Sequence, residues 1–382
     1  MSRLLVDDIT KTDRRALFNV NKAALISDIV APTKEYLISS GAQQLTLVEG
    51  CVIAIAGTGV FETKQTTLSA ANLDTGNSFA VGKDYYVYMC DSGNTDSDEI
   101  YKISLNSTYP TGWTALNSRK IGGFHYGKCR AVDAVTGKPI NASGIVKGGG
   151  WQDNVYDGIV PRSVWTLGHR PKCSPEGMVY LGAGTWVDIY LNSDDGKGGL
   201  QSKYGATPIT GSEGVNWYDC ARRLQAVGKR LPDLQEFVQY AYGSPSGDNE
   251  TNEYAFASIT NTGRTTVGKV AKAVSAVGVR DAVGNCWEWL DEIVTRAQHA
   301  TNEASHEKEA WAWSITSPFG EGEDADVDSG NIYEYYANSV VALIAGGSYN
   351  SGIKAGMRTL YCNACPWSVI IGLGVRGVCD SL

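Results

Sequence analysis

Two thiols three positions apart, Cys362 and Cys365 in "CNACPWSVIIGLGVRG", are the residues in this chain whose spacing most suggests chemistry. Such a pair can cycle between dithiol and disulfide, or supply half of a tetrahedral zinc site. A redox pair usually opens a helix, whose N-terminal dipole favours the thiolate, yet the flanks here read as strand and turn. A zinc site needs further ligands. Cys379 is the one other thiol nearby, and the four histidines, at 125, 169, 299 and 306, are distant in sequence. Packing or contact roles therefore fit Cys362 and Cys365 better than catalysis. The remaining cysteines, at 51, 90, 129, 173, 220, 286 and 379, are scattered. That distribution points to reduced, buried thiols rather than a disulfide framework.

Other chemical signals are weaker. The acidic runs "DSGNTDSDE" (91–99) and "EGEDADVDSGN" (321–331) resemble calcium loops, and Asp324, Asp326 and Asp328 have the alternate spacing. The glycine falls one place late and the twelfth position lacks Glu, so a solvated loop is the better reading, with a structural calcium as the alternative. Gly148–Gly150 lacks the lysine of a phosphate cradle. Glu288 and Asp291 lie close together, but among tryptophans that suggest structure. No nucleophile–base arrangement stands out, so the chain reads as a non-enzyme without a cofactor.

The totals narrow the partners. A net charge of −8 over 382 residues argues against nucleic acid, since phosphate binding needs a basic face. No run approaches the ~20 apolar residues that span a bilayer, so membrane insertion is not expected. The opening "MSRLLVDDITKTDRRALF" lacks the apolar core of a signal peptide, which predicts synthesis in the cytoplasm.

Any site must be carried by a β-rich frame. Forty-four glycines and 20 tyrosines, with few helical patterns, predict many short strands and turns. Residues 1–42 read as a helical arm or oligomerisation segment. Residues 43–126, with "QLTLVEGCVIAIAG" and "DYYVYMCDSG", read as a small all-β domain resembling a sandwich. Residues 127–160 are Gly-rich and polar and read as a linker or loops. From 161 a second domain runs to 382, of α+β class. In it, Trp217, Cys220, Ala221 and Leu224 fall at helical spacing. Gly228 stops that helix, and Pro232 with Asp233 starts another. The polar stretch of about 295–335 reads as an insertion.

An ordered set of motifs runs through the second domain: "GKRLPDLQEF" (228–237), "AVGNCWEWLDE" (282–292), "AGGSYNSG" (345–352), "AGMR" (355–358) and "GLGVRG" (372–377). Trp287 and Trp289 alternate on a strand and face one side, with Glu288 on the other. Gly346 and Gly347 permit a turn that a side chain would obstruct. Arg358 and Arg376 are planar forks suited to loop carbonyls or carboxylates. With "GKDYYVYMCDSG", "YPTGWT", "RKIGGFHY", "WVDIYL" and "GVRGVCDSL", this set resembles the C-type lectin fold shared by formylglycine-generating enzymes and the variable proteins of diversity-generating retroelements. The resemblance covers residues 43–382.

The resemblance implies that residues 346–377 are a variable region, rewritten through a template copied with errors at adenines. The implied ligand contacts are Ser348, Asn350, Ser351, Lys354, Tyr361, Asn363, Ala364, Ser368, Ile370 and Gly372, with Ile353 and Ile371 as further candidates. Tyr361 and Trp367 would be aromatic anchors. A codon altered only at its adenines cannot pass from Asn to Lys, so Lys354 implies a different template codon or a fixed position. The region mixes Ser, Asn, Lys and Tyr with Ile between anchoring glycines and arginines, unlike a two-sided buried strand. A buried strand is the alternative reading. The implied function is recognition of a protein or surface receptor on a target cell by a homotrimer at a virion tail-fibre tip, or by a prophage- or cell-encoded equivalent. The alternatives are a copper oxidase using Cys362 and Cys365, or a structural tail decoration protein.

Overall fold

The computed structural model describes residues 29–55, 59–93, 100–295, 310–312, 332–334 and 340–382. The expected helical character of residues 1–28 and the Asp324–Asp328 loop lie outside the described residues. No helix among the described residues is long and apolar enough to cross a membrane. The described residues are mostly β with two α-helices, and the chain divides into two compact units. The first comprises residues 1–127 and 158–170, the second 128–157 and 171–382.

In the first unit, alternating apolar residues build the sheets. Strands Leu37–Gly41, Gln44–Leu47 and Thr66–Leu68 form one antiparallel sheet, and Val52–Ile55 pairs with Gly59–Glu62. Lys83–Cys90 lies between Ile100–Ser104 and Ser118–Arg130 in a larger sheet. Leu45, Leu47, Val87, Met89, Ile103 and Ile121 are fully enclosed in the core. Phe79, Tyr85, Phe124 and Tyr126 pack ring on ring at centroid distances of 5.1–5.4 Å. Gly122 and Gly123 in "RKIGGFHY" let Trp165–Thr166 pair closely alongside as an edge strand: a Cβ at Gly122 would stand 2.3 Å from the Trp165 carbonyl. Tyr36 and Leu37 belong to this core, so residues 29–42 are part of the unit and not a separate arm.

The second unit is organised around a six-stranded sheet. Its order is Ala310–Ala312, Ile332–Glu334, Leu360–Ala364, Val340–Ala345, Trp287–Thr295, Leu373–Gly374. Two of these strands come from the stretch read as an insertion, which therefore contributes to the sheet. A three-stranded sheet joins Met178–Gly182, Thr185–Asp188 and Val378–Asp380. Helix α1, Trp217–Gln225, is capped by Asn216 and buries Cys220 and Leu224. Helix α2, Leu234–Ala241, opens on a capping box between Asp233 and Glu236. Residues 128–157 are not a linker. Their turns close on themselves through the bridges Val132–Pro139 and Ile140–Val146, and Arg130 donates to the carbonyls of Val274, Trp151 and Lys272.

Candidate functional site

The segment 346–377 begins at a backbone turn that only glycine fits. Gly346 has φ +90° and Gly347 φ +87°. A Cβ on Gly346 would stand 2.5 Å from the Ala282 carbonyl, and one on Gly347 2.6 Å from the Ala355 Cβ. The next residues form a tight loop. Ser351 Oγ accepts from the Ser348 N–H at 2.9 Å, and Ser351 N–H donates back to the Ser348 carbonyl at 3.2 Å. A short 3-10 turn, Gly352–Lys354, follows, and Thr359 Oγ1 donates to the Lys354 carbonyl.

The segment ends on a buried charge. Arg376 is fully enclosed and saturates its fork. Nε and Nη2 donate to the two oxygens of Glu288 at 2.9 and 2.8 Å. Nη1 donates to the carbonyls of Asp188 and Ile189, and Nη2 to that of Arg280. Tyr240 donates its hydroxyl to Glu288 Oε2 at 2.6 Å. Burial, reinforced by the Glu288 charge, pushes that hydroxyl well above its ordinary pKa, so it stays protonated and donates. Burial alone would lower the Arg376 pKa, but the Glu288 charge and hydrogen bonds raise it, so the guanidinium stays charged. One residue further on, a Cβ on Gly377 would meet Asp188 Oδ2 at 2.8 Å. Asp188, buried in "WVDIYL", pairs with Lys229 Nζ at 2.6 Å and accepts from Asn192 and the Gly377 N–H. The charged residues of "GKRLPDLQEF" are thus structural: Lys229 neutralises Asp188, and Arg230 forks onto Glu236 at 2.6 and 2.8 Å.

Between these anchors the expected contacts separate into three groups. Ile353, Trp367, Ile370 and Ile371 are exposed, at 60, 56, 43 and 55%. Asn350 is also exposed, while Ser351, Lys354 and Ser368 are half-buried. Tyr361 is half-buried and packs its ring against Trp287, 5.6 Å between centroids. The remaining three do not present side chains to a ligand. Ser348 is buried, with its hydroxyl turned to Asn350 and Ser351. Ala364 lies in the core with Trp289, Ala342 and Ile344. Gly372 is enclosed near Ser348 and Tyr349. Leu360–Ala364 is a paired strand of the sheet, with Leu360 and Ala364 buried and Tyr361 and Cys362 half-buried. Asn363 lies on it, and its side chain is not among those described.

The scaffold residues also separate. Trp289 is buried and Trp287 packs beside it on the same cluster, with Glu288 on the opposite face toward Arg376. Arg358 is half-buried, and its Nε has no hydrogen-bond partner among the described residues. Cys362 and Cys365 are half-buried thiols. No cluster of three or more His, Cys, Asp or Glu suited to a metal occurs among the described residues.

Several supports escaped the motif reading. Asn249 Oδ1 accepts from the Ile353 N–H, and Asn261 Nδ2 donates to the Tyr349 carbonyl. Asn252 Oδ1 in turn accepts from Ala257, Ser258 and Asn261. Three asparagines within 13 residues were the available signal. Val369, 51% exposed, joins Ile370 and Ile371 in the exposed loop. The loop is held from below: the Gly211 N–H donates to the Ile370 carbonyl, and a Cβ at Gly211 would collide with the Ile370 backbone.

These features define a class: a two-unit β-rich protein in which a glycine turn and a buried arginine bracket an exposed, partly apolar loop surface. Residues 35–152 match the family model described as the Mtd second domain. Over 362 residues the chain is 26% identical to the tail fiber receptor-binding protein of Bordetella phage BPP-1, covering 90% of this chain and 81% of that one. Solved structures of the major tropism determinant share the fold. The P3c variant aligns with TM-score 0.66 at 22% identity and the I1 variant with 0.65 at 23%, each covering 95% of this chain and 88% of the other. Residues 35–152 thus match the Mtd second domain, and most of the chain is similar in sequence to that tail fiber protein and in fold to the major tropism determinant.

Proposed function

We propose that this chain is a receptor-binding protein of the tail-fibre type, whose second unit is a C-type lectin domain presenting a variable surface on residues 346–377. The observation that carries the reading is the set of large apolar side chains left in solvent on one bracketed segment. Ile353, Trp367, Val369, Ile370 and Ile371 are all more than two-fifths exposed. They sit on two loops that meet where a Cβ added at Gly372 would stand 3.6 Å from the side chains of Ser348 and Tyr349. Grouped exposed apolar residues on a rigid base suit a protein partner.

The contact set consists of Asn350, Ser351, Ile353, Lys354, Tyr361, Trp367, Ser368, Val369, Ile370 and Ile371. A patch of this size is smaller than a standard interface, and single sites of about micromolar strength follow. Assembly as a homotrimer on a virion would multiply avidity by ~10²–10⁴. Similarity to receptor-binding tropism proteins, not enzymes, favours recognition over a copper oxidase at Cys362 and Cys365.

The test is genetic and then biophysical. The neighbouring DNA should hold a near-copy of the coding segment for 346–377, differing only where that copy has adenine. Libraries randomised at the ten contact positions should yield folded proteins with altered cell-surface binding. Absence of the copy, together with unchanged binding across the library, would favour the decoration reading.

A further inference from the structure

Two cysteines far apart in sequence meet in the second unit. Pro171 and Ser381 form an antiparallel bridge, and the Lys172 N–H donates to the Asp380 carbonyl at 2.9 Å. The chain then bends at Lys172 and Cys173. The bend sets Cys173 against Cys379: the Cys173 N–H donates to Cys379 Sγ at 3.3 Å, and the two thiols hydrogen-bond each other. Two thiols in direct contact are the starting arrangement a disulfide needs. Cys173 is half-exposed, whereas Cys379 is buried behind it.

We propose that Cys173 and Cys379 form an oxidation site, a dithiol that low-molecular-weight disulfides such as oxidised glutathione convert to a cross-strand disulfide. The half-exposed Cys173 thiol gives up its proton and attacks the small disulfide, forming a mixed disulfide and releasing one small thiol. The Cys379 thiolate then attacks Cys173 Sγ, forming the protein S–S bond and expelling the second small thiol. Two protein thiols are oxidised and one disulfide is reduced to two thiols. In the reduced pair, hydrogen bonding from the Cys173 thiol, then from the Cys173 and Lys172 N–H groups, with the Lys229 charge nearby, holds the Cys379 thiol down at about 6 against the effect of burial, while the same hydrogen bond and burial push the Cys173 thiol up. Once Cys173 is in the mixed disulfide its thiol no longer donates, and the two N–H groups and the Lys229 charge remain to favour the Cys379 thiolate. The bond would fasten strand Val378–Asp380, which follows directly on Arg376 and Gly377, to the segment entering the unit at Pro171.

The test uses the full chain, reduced, freed of reductant and incubated with oxidised glutathione near neutral pH. Peptide mapping without reduction should show residues 173 and 379 in one cross-linked species, with two of the nine thiols lost to alkylation. The melting temperature should rise by about 5–10 °C and fall back on reduction. In Cys379→Ser, glutathione should remain attached at Cys173. Nine alkylatable thiols after oxidation, a glutathione adduct on wild-type Cys173 without ring closure, or a Cys362–Cys365 link in its place would overturn the assignment. A 173–379 link without a change in melting temperature would overturn the fastening role. The wild-type map decides the question even if the variant fails to fold.

Discussion

Arg376 and Trp367 stand nine positions apart on one segment and occupy opposite extremes. Arg376 is fully enclosed and makes five hydrogen bonds, to Glu288 and to three carbonyls. Trp367 is 56% exposed, on a loop held mainly through backbone. Where a side chain is tied to many buried polar partners, its identity is fixed by what would be left unpaired. Where the backbone alone is tied, by the Trp217 N–H on the Pro366 carbonyl and the Gly211 N–H on the Ile370 carbonyl, side chains can change without disturbing those bonds. A surface built to vary needs both kinds of residue in close succession.

Substitutions can break this contrast. The largest effect belongs to Arg376→Met. It strands the Glu288 carboxylate and the Asp188, Ile189 and Arg280 carbonyls in the interior, and should cost about 3–5 kcal/mol in urea unfolding. Equal stability of Arg376→Met and wild type would dissolve the contrast. Gly347→Ala comes next. It combines left-handed backbone with a 2.6 Å approach to Ala355, and should cost about 1–3 kcal/mol.

These anchors were legible in sequence to different degrees. The helices were readable because Trp217, Cys220, Ala221 and Leu224 share a face and Asp233–Glu236 is a local capping pair. The glycine turn at 346–347 and the Trp287/Glu288/Trp289 alternation were readable because each depends on neighbours in sequence. The partners of Arg376 were not, because Glu288 and the Asp188 carbonyl lie 88 and 188 residues away. The sign that remained was an acidic residue isolated in each of two apolar strands, Asp188 in "WVDIYL" and Glu288 in "CWEWL". Residues 127–160 look like a linker in composition because their turns are Gly-rich, although those turns close on one another. Ser348 and Ala364 looked interchangeable because small polar and small apolar residues carry no burial signature by themselves. The neighbours that enclose them come from other strands and loops.

Trp367→Ala sharpens the contrast from the other side. If the proposed recognition surface holds, removing this half-exposed ring should weaken cell-surface binding tenfold or more, while the unfolding midpoint moves little. A fall in both would mean that the ring supports the fold, and the exposed group would shrink toward Ile353, Ile370 and Ile371.

The smallest effect tests the division most finely. Ser368→Ala alters a half-buried residue of the same segment and should change stability by less than about 0.5 kcal/mol. Ser348→Ala is the informative neighbour. Its hydroxyl is buried and bonded to Asn350 and Ser351, so its loss removes contacts from the loop that begins at Gly347. Chemically the Ser348 and Ser368 changes are the same, and both fall within 346–377. If Ser348→Ala costs about 1 kcal/mol more than Ser368→Ala, tolerance to rewriting follows burial position by position, and not membership of the segment. If the two variants unfold alike, the loop at 348–351 is held by its backbone as the 367–371 loop is, and Ser348 rejoins the interchangeable residues.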